Sequence, residues 1–411
     1  MNPSVSACAV CFSALLLGAC SSGGFIDASA AMTDGSLGSP DLASSVVTDL
    51  AVSVDLRRAP RTELSFAPPV TYAAGSSAYH LAVGRIDEDS FDDLLISGRP
   101  SATVYLALPS GALQVKPQTL LGNWQVAIAD MNLDGKGDMI LTDTNNGAIS
   151  VSLGNGDGSF RSTVSVPAGR APQGVASADL DSDGKPDLLA VDQSVAELYV
   201  YRGKGDGTFT LVQKQLTEAG GAPLWIATGD INGDRWVDVV VANLSKASLS
   251  LFFGKGDGTL LPPQQVATIA SPCDVEVVDL DLDGRLDLAV NGEGAEKSVA
   301  VHLADGMGGF RSMVKYAYAD GSGQGLSVAD LNADGWPDLI AVSAFSAPAR
   351  VFLGAGNGTF LPERTFSGVG GNPFNVQAVD LNRDGKPDLV LSEASAQKIS
   401  VLLNTTPAPV L

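Results

Sequence analysis

The sequence predicts an all-β fold: a seven-bladed β-propeller whose blades each contain four antiparallel strands. Three observations lead to this prediction. A nine-residue acidic pattern recurs seven times, apolar runs of strand length flank each copy, and a glycine-rich turn separates two further runs in most repeats. Propeller blades bury their faces only against neighbouring blades, so a regular repeat is their expected sequence signature.

The acidic pattern reads Asp-x-Asp/Asn-x-Asp-Gly-x-x-Asp, and an apolar run follows it. A degraded first copy spans residues 85–93, and six near-intact copies span 130–138, 179–187, 230–238, 279–287, 330–338 and 380–388. Their first positions lie 45, 49, 51, 49, 51 and 50 residues apart. This spacing is typical of one repeated supersecondary unit per copy.

Four strands are predicted within each repeat. Residues 125–129 form an apolar approach to an acidic loop, and residues 188–191 form an apolar run after one. A third run, such as 198–201, leads into a turn of the type Gly154-Asn-Gly-Asp-Gly-Ser-Phe160, and the aromatic residue begins the fourth strand. Glycine and Asp/Asn supply the positive φ of such tight hairpins.

The two ends of the repeat region predict a closed ring. Residues 64–75 match the fourth-strand segment 160–169, whereas the last repeat stops after its third strand, 399–403. The first strand of the domain would therefore complete the last blade and hide two sheet edges. An open solenoid is the alternative, but it would need polar capping repeats. The propeller is assigned to residues 64–403, followed by a short tail at 404–411.

The N-terminal region predicts a lipid-anchored protein. Residues 1–19 carry no charge and contain an apolar run of signal-peptide length. Leu17-Gly18-Ala19-Cys20 resembles the lipobox of bacterial lipoproteins, which implies lipidation of Cys20; the alternative is an ordinary leader with an incidental cysteine. Residues 20–63 are rich in Ser, Ala, Gly and Asp and are predicted to be a flexible tether. We expect the outer membrane or cell surface of a Gram-negative bacterium, with membrane contact through the lipid alone.

The acidic loops predict about six Ca²⁺ sites. Side-chain oxygens at positions 1, 3, 5 and 9, with glycine at position 6 for a sharp return, form the hard-oxygen cage that Ca²⁺ prefers. An EF-hand is disfavoured because no Glu stands at position 12 and strands flank the loop; merely solvated Asp-Gly turns are a further alternative. Aspartates at these positions make up 23 of the 46 acidic residues. The candidate ligands are Asp130, Asn132, Asp134 and Asp138; Asp179, Asp181, Asp183 and Asp187; Asp230, Asn232, Asp234 and Asp238; Asp279, Asp281, Asp283 and Asp287; Asp330, Asn332, Asp334 and Asp338; and Asp380, Asn382, Asp384 and Asp388.

Two loops deviate from the pattern. In the first copy Arg85 replaces the first ligand and is expected to pair with Asp87, Asp89 or Asp93, so this loop is predicted to bind Ca²⁺ weakly or not at all. In the fourth copy Arg235 stands where the others have glycine. A non-glycine residue at positive φ costs about 1 kcal/mol, which is expected to weaken that site.

Composition excludes several functions. A formal charge of −21 argues against binding nucleic acid through charge, and only two histidines leave no room for a His-rich metal centre. A Ser/His/Asp or Cys/His catalytic set is likewise disfavoured, so we predict that the protein is not an enzyme. We also expect it to be a monomer.

The repeated motifs resemble the FG-GAP/VCBS repeat family and, in plan, the seven-bladed propeller of integrin α subunits. The resemblance covers residues 64–403. It implies a calcium ion in each acidic loop, between the first and second strands of a blade, and partner recognition on the opposite rim. It does not imply one activity or one ligand.

Function is therefore predicted as a surface recognition or adhesion module for an extracellular protein or glycan. A lectin-like carbohydrate binder is the alternative, and a propeller polysaccharide lyase or glycosidase is a weaker one. Candidate recognition residues enter the innermost strands on the rim opposite the acidic loops, where aromatic side chains favour binding. The alternative is that they wedge between neighbouring blades. These residues are Tyr79, His80, Trp124, Trp225, Asn372, Phe374 and Asn375.

Overall fold

In a computed structural model of the chain, the structure describes residues 60–408 apart from 76, 100, 122–123, 346–347 and 368. The predicted signal peptide, Cys20 and residues 20–59 of the predicted tether lie outside the described residues. The described part contains strands and no helix, and so no helix that could span a membrane.

Twenty-eight strands form seven four-stranded antiparallel sheets, which confirms the predicted propeller. Six blades are continuous in sequence: β2 (Leu81–Gly84), β3 (Asp93–Ile96), β4 (Ser101–Ala107) and β5 (Leu113–Leu121); β6 (Val126–Ala129), β7 (Asp138–Asp143), β8 (Ala148–Gly154) and β9 (Phe160–Pro167); β10 (Pro172–Ala178), β11 (Asp187–Asp192), β12 (Glu197–Gly203) and β13 (Phe209–Leu216); β14 (Pro223–Gly229), β15 (Asp238–Asn243), β16 (Ser248–Phe252) and β17 (Gln264–Ala267); β18 (Pro272–Val278), β19 (Asp287–Gly292), β20 (Ser298–His302) and β21 (Val314–Ala317); β22 (Ser322–Ala329), β23 (Asp338–Ala344), β24 (Ala349–Phe352) and β25 (Arg364–Phe366).

The seventh blade joins the two ends of the domain. It contains β26 (Pro373–Val379), β27 (Asp388–Glu393), β28 (Lys398–Leu402) and, on its outer edge, β1 (Val70–Ala73). β1 runs antiparallel to β28, with Val70 opposite Val401 and Ala73 opposite Lys398. The predicted ring closure is therefore confirmed.

The core lies between blades. One buried cluster combines Val191 and Val200 of the third blade with Val241, Phe252 and Leu260 of the fourth. Each such cluster draws on two neighbouring blades, because the two faces of a four-stranded sheet are both apolar here and neither is covered within its own blade. Burial of this kind makes every blade depend on its neighbours.

Strand direction sorts the connections onto two faces. Acidic loops join the first and second strands, and glycine-rich turns join the third and fourth, so both emerge on one face, hereafter the acidic face. The second-to-third turns and the links between blades emerge on the opposite face. Four innermost strands begin with proline, where the missing N–H costs no ladder bond, at Pro172, Pro223, Pro272 and Pro373.

Candidate metal centre

The ninth residue of each acidic loop is a buried anchor. Asp138 is fully buried; its Oδ2 accepts from the Met131 N–H at 2.7 Å, and its Oδ1 accepts from the Gly154 N–H at 2.8 Å. The carboxylate therefore ties the acidic loop to the third-to-fourth turn of its own blade. The same two bonds recur at Asp93, Asp187, Asp238, Asp287, Asp338 and Asp388.

The first residue of the intact loops folds the backbone around its own carboxylate. Asp130 accepts from the N–H groups of Asp134 and Gly135 at 3.1 and 2.7 Å, and Asp134 accepts from the Lys136 N–H at 3.1 Å. The loop is thus closed by hydrogen bonds to positions 1 and 5 before any ion is considered. Both carboxylates keep further lone pairs for a cation.

Two positions of each intact loop need positive φ, and the sequence pattern revealed only one. Leu133 at position 4 has φ of 60° and Gly135 at position 6 has φ of 81°. In the fourth copy the glycine is at position 4 instead, with Gly233 at 76° and Arg235 at 77°. Arg235 thus has the positive φ that the sequence predicted, but each intact loop contains one such non-glycine residue, so the fourth loop is no more strained in this respect than the others. The Arg235 N–H still donates to Asp230 at 2.8 Å.

The third position distinguishes two kinds of loop. Where it is Asn, the side-chain amide donates to the carboxylate at position 5, as Asn132 does to Asp134 at 3.0 Å. Where it is Asp, an arginine of the same blade approaches the carboxylate at this third position: Arg202 Nε lies 2.9 Å from Asp181 Oδ2, and Arg311 Nη1 lies 3.3 Å from Asp281 Oδ2. These arginines lie outside the nine-residue pattern, and the sequence analysis missed them.

In these two loops one carboxylate oxygen is left over. The Oδ1 atoms of Asp181 and Asp281 are buried and have no hydrogen-bond partner among the described residues. Burying such an atom costs free energy unless something binds it. Carboxylate oxygens from three residues come within 4.8 Å of one another in each loop, from Asp179, Asp181 and Asp187 and from Asp279, Asp281 and Asp287. Both clusters can hold a metal ion.

The degraded first loop also gathers three carboxylates, from Asp87, Asp89 and Asp93. The expected ion pair with Arg85 was wrong, since within the described residues no acidic group lies within 4.0 Å of that guanidinium. Lys136 of the next blade instead reaches Glu88 at 3.2 Å. The first loop thus keeps its acidic cluster without an ion pair to Arg85.

Burial makes the anchoring carboxylates reluctant to ionise. Desolvation raises the pKa of Asp138, Asp187 and Asp287 to about 6, although the N–H groups that donate to them act in the opposite direction. In the sixth blade the pKa of Asp338 rises to about 8 for the same reason. A nearby cation would favour the charged form and oppose these shifts.

The sixth loop is more enclosed because the start of the domain lies over it. The Arg61 N–H donates to Asp334 Oδ2 at 3.1 Å, and Asn332 Nδ2 donates to the Arg61 carbonyl at 2.6 Å. The Arg61 guanidinium also donates to the carbonyls of Asn332 and Pro407. Both ends of the propeller chain therefore meet at one acidic loop.

The predicted recognition rim is largely buried. Tyr79, His80, Trp124 and Phe374 form one aromatic cluster on the opposite face, with Tyr79 and Trp124 ring centroids 5.3 Å apart. Exposure is 4% for Trp124, 5% for Phe374 and 0% for His80, Trp225 and Asn375. The prediction that these five residues contact a partner directly was therefore wrong, and the alternative holds that they pack neighbouring blades together.

Trp225 lies apart from that cluster, and Tyr79 and Asn372 are the less buried members of the rim. Trp225 packs with Ile231, Val240 and Phe253 between the fourth and fifth blades. Tyr79 and Asn372 are half-buried, and Asn372 Oδ1 accepts from the Phe345 N–H at 2.7 Å.

Five matches to a repeat model, each beginning at an acidic loop, identify the family of this chain. The model of an FG-GAP-like repeat matches residues 130–190, 179–241, 230–290, 279–341 and 330–391, which together make up more than half of the chain. The chain belongs to the FG-GAP-like repeat family. The matched stretches of this FG-GAP protein begin at the first acidic position of five blades, so the candidate metal centre is part of the family pattern.

Two solved structures share the propeller fold. One is titled for recognition of non-reducing terminal N-acetylglucosamine by an Agrocybe aegerita lectin, with 16% identity, a TM-score of 0.55 and coverage of 85% of this chain and 98% of that one. The other is virginiamycin B lyase from Staphylococcus aureus, with 11% identity, a TM-score of 0.56 and coverage of 82% and 99%. No curated protein matches the chain in sequence. At these identities the likeness shows the fold alone.

Proposed function

We propose that this FG-GAP protein is a calcium-binding recognition module rather than an enzyme. The observation that carries the metal part is the buried, unpartnered Oδ1 of Asp181 and of Asp281, each inside a cluster of three carboxylates. All donors are oxygens in loops that tolerate irregular geometry, which suits Ca²⁺ better than Mg²⁺ with its strict octahedron. Bound Ca²⁺ would neutralise the loops and hold each one to its blade.

Isothermal titration calorimetry on the chelator-treated protein tests this proposal. We expect about six bound Ca²⁺ and a melting temperature that rises on addition of Ca²⁺. Extracellular modules bind at roughly 0.1 to 1 mM, so about 10 mM Ca²⁺ contributes about 1.4 to 2.7 kcal/mol per site. Fewer than four bound ions would contradict the proposal.

Asp281→Ala gives a sharp single-site version of the experiment. No backbone N–H of a described residue donates to the Asp281 carboxylate, so the substitution removes a ligand and leaves the hydrogen bonds that fold the loop. We expect one fewer ion. Glu296→Gln, on the opposite face of the same blade, is the control and should leave the count unchanged.

The recognition role and the anchor are proposed from the chain as a whole. A lipidated Cys20 would display the propeller on the outer membrane or cell surface, where an extracellular protein or glycan is the expected partner. Intact mass should show fatty acid on the mature N-terminus, lost in Cys20→Ser. An unacylated N-terminus in the unmodified protein would reject the anchor.

Carbohydrate binding is the second candidate function. A cavity with polar and apolar lining between the fourth and fifth blades favours it. A glycan array with Ca²⁺ present separates a glycan partner from a protein partner.

A further inference from the structure

A cavity of about 260 Å³ opens between the fourth and fifth blades on the acidic face. It is smaller than the 300–1,000 Å³ that is typical of sites for drug-sized ligands, so it suits one small molecule. Its lining is mixed. Apolar groups come from Leu251, Phe310 and Met313, and polar groups come from Gln264, His302 and Arg311.

The fifth repeat departs from most of its siblings at two positions that line the cavity. His302 lies opposite Leu288 in the strand ladder. Most other blades have a larger aromatic residue at that place, namely Tyr105, Tyr201, Phe252 and Phe352. Gly309 stands in the turn where other blades have a hydroxyl residue, namely Ser159, Thr208, Thr259 and Thr359. Both changes remove side-chain volume.

A backbone edge faces this cavity. The Arg311 N–H donates inward to the Leu303 carbonyl at 2.7 Å, so the N–H and C=O of Phe310 point away from their own blade. Among the described residues, no side chain bonds to either group. The backbone N–H and C=O of Phe160 and Phe209 also have no side-chain partner among the described residues. A free backbone edge therefore indicates a site only together with the cavity.

The two flanking grooves show what chemistry completes such an edge. In the groove before, Gln213 accepts from the Leu260 N–H at 2.8 Å and donates to the Leu260 carbonyl at 3.0 Å. In the groove after, the Tyr316 hydroxyl accepts from the Phe360 N–H at 3.2 Å. Gln213 therefore completes both groups of its edge with a donor and an acceptor held side by side, whereas Tyr316 completes the N–H.

The charge around the cavity favours a neutral ligand. Arg311 is paired with Asp281 and Asp283, and burial lowers the pKa of His302 to about 4, so its imidazole is neutral at pH 7. The His302 ring already shares a hydrogen bond with Thr268 at 2.9 Å. Gln265 is committed to Thr217 and Ser250, which leaves Gln264 as the amide available to a ligand.

We propose that this cavity binds one neutral sugar residue. Two neighbouring hydroxyls would satisfy the edge, one accepting from the Phe310 N–H and the other donating to the Phe310 carbonyl, and Gln264 would bond a third. The apolar face of the ring would lie against Phe310 and Met313. A peptide carboxamide would also fit the edge, but the apolar walls and the amide of Gln264 favour a polyhydroxylated ring. This site gives the proposed recognition role a ligand, and it does not require bound Ca²⁺.

Ligand-observed saturation-transfer NMR and calorimetry with the full chain test the site. The probes are glucose, galactose, mannose and N-acetylglucosamine, with acetamide as the carboxamide arm, each run with Ca²⁺ and with chelator. We expect saturable binding of at least one sugar with a dissociation constant on the order of 1 mM, as for a single small ligand. Binding of acetamide with no sugar bound, or no binding at all, would overturn the proposal.

Two variants locate the binding. His302→Phe restores the aromatic residue of the sibling blades and fills the cavity, and Gln264→Leu removes the available amide from an exposed strand without touching the core. We expect each to weaken sugar binding about tenfold or more. Gln213→Leu, in the neighbouring groove, is the matched control and should bind sugar as the unmodified protein does. Unchanged binding in Gln264→Leu and His302→Phe would refute the site, whatever the outcome of the calcium titration.

Discussion

Arg311 gives the most discriminating test of how the acidic loops work. Its guanidinium lies 3.3 Å from Asp281 and 3.6 Å from Asp283, and the side chain is 48% exposed. We interpret it as an internal counter-ion that competes with Ca²⁺ for the loop of the fifth blade. Arg311→Leu should therefore tighten Ca²⁺ binding at this one site.

The size of the effect follows from Coulomb's law. A unit charge roughly 5 Å from a divalent ion costs about 1.7 kcal/mol at the dielectric constant of water, and physiological salt reduces this to about 1 kcal/mol. The site should therefore bind Ca²⁺ about fivefold more tightly. Without Ca²⁺ the same variant loses a half-exposed ion pair, so its free energy of unfolding should fall by about 0.2 to 1 kcal/mol.

Competition against a chromophoric chelator measures the affinity, and thermal melts in chelator measure the stability. Arg170→Leu is the control because it changes the net charge equally, and the described Arg170 makes no side-chain ion pair with an acidic loop. An Arg311→Leu protein that binds Ca²⁺ no more tightly than the control would show that the arginine supports the loop instead of competing for it.

Three further predictions concern pH, closure and packing. The native pKa of Asp138 and of Asp187 lies near 6, above the usual 3.8, so the stability gained from their protonation is fully present below pH 3.8 and is lost as pH rises through 6. Protons therefore compete with Ca²⁺ for these carboxylates at low pH, and the rise in melting temperature on adding Ca²⁺ should be smaller at pH 5 than at pH 7; an equal rise would contradict this. Deleting residues 64–75 removes β1 and exposes the edge of β28, so size-exclusion chromatography should show aggregates. Deleting residues 21–59 is the control and should leave a monomer. Soluble monomer from the first deletion would show that pairing of β1 with β28 is not needed to close the ring. Trp225→Ala should cost roughly 3 to 5 kcal/mol of folding free energy, measured by denaturant unfolding, because the indole is fully buried; an unchanged midpoint would show that it does not pack the blades together.

The architecture could be predicted from the sequence because every blade uses the same pattern of strands, acidic loop and turn. The period of the acidic loops set the blade count, and the match between residues 64–75 and a fourth strand predicted the pairing of β1 with β28. These features recur at nearly fixed spacing, so one sequence contains several instances of the same pattern, and each instance supports the prediction.

Features that depend on one blade alone were not readable in this way. Arg202 reaches its loop from β12 and Arg311 from the segment ahead of β21, so no common spacing marks them. The prediction of an exposed recognition rim was wrong for a related reason. Trp225 and Asn375 do lie near the start of innermost strands, but their burial depends on how closely neighbouring blades approach each other. At Gly325 a Cβ atom would lie 2.8 Å from the Asn375 backbone, which is a distance no single strand reveals.

The meeting of Arg61, the sixth acidic loop and Pro407 determines how the domain responds to mechanical tension. Tension applied through the chain ahead of residue 60 reaches Arg61 before it reaches β1, and Arg61 passes it to Asn332, Asp334 and Pro407. The strain is thereby divided between the sixth and seventh blades. The bonds of Ser65 and Ala67 with Thr405, Thr406 and Leu403 come next along the chain, and the ladder between β1 and β28 is stressed last, so the contacts of Arg61 with the sixth loop are the first to yield.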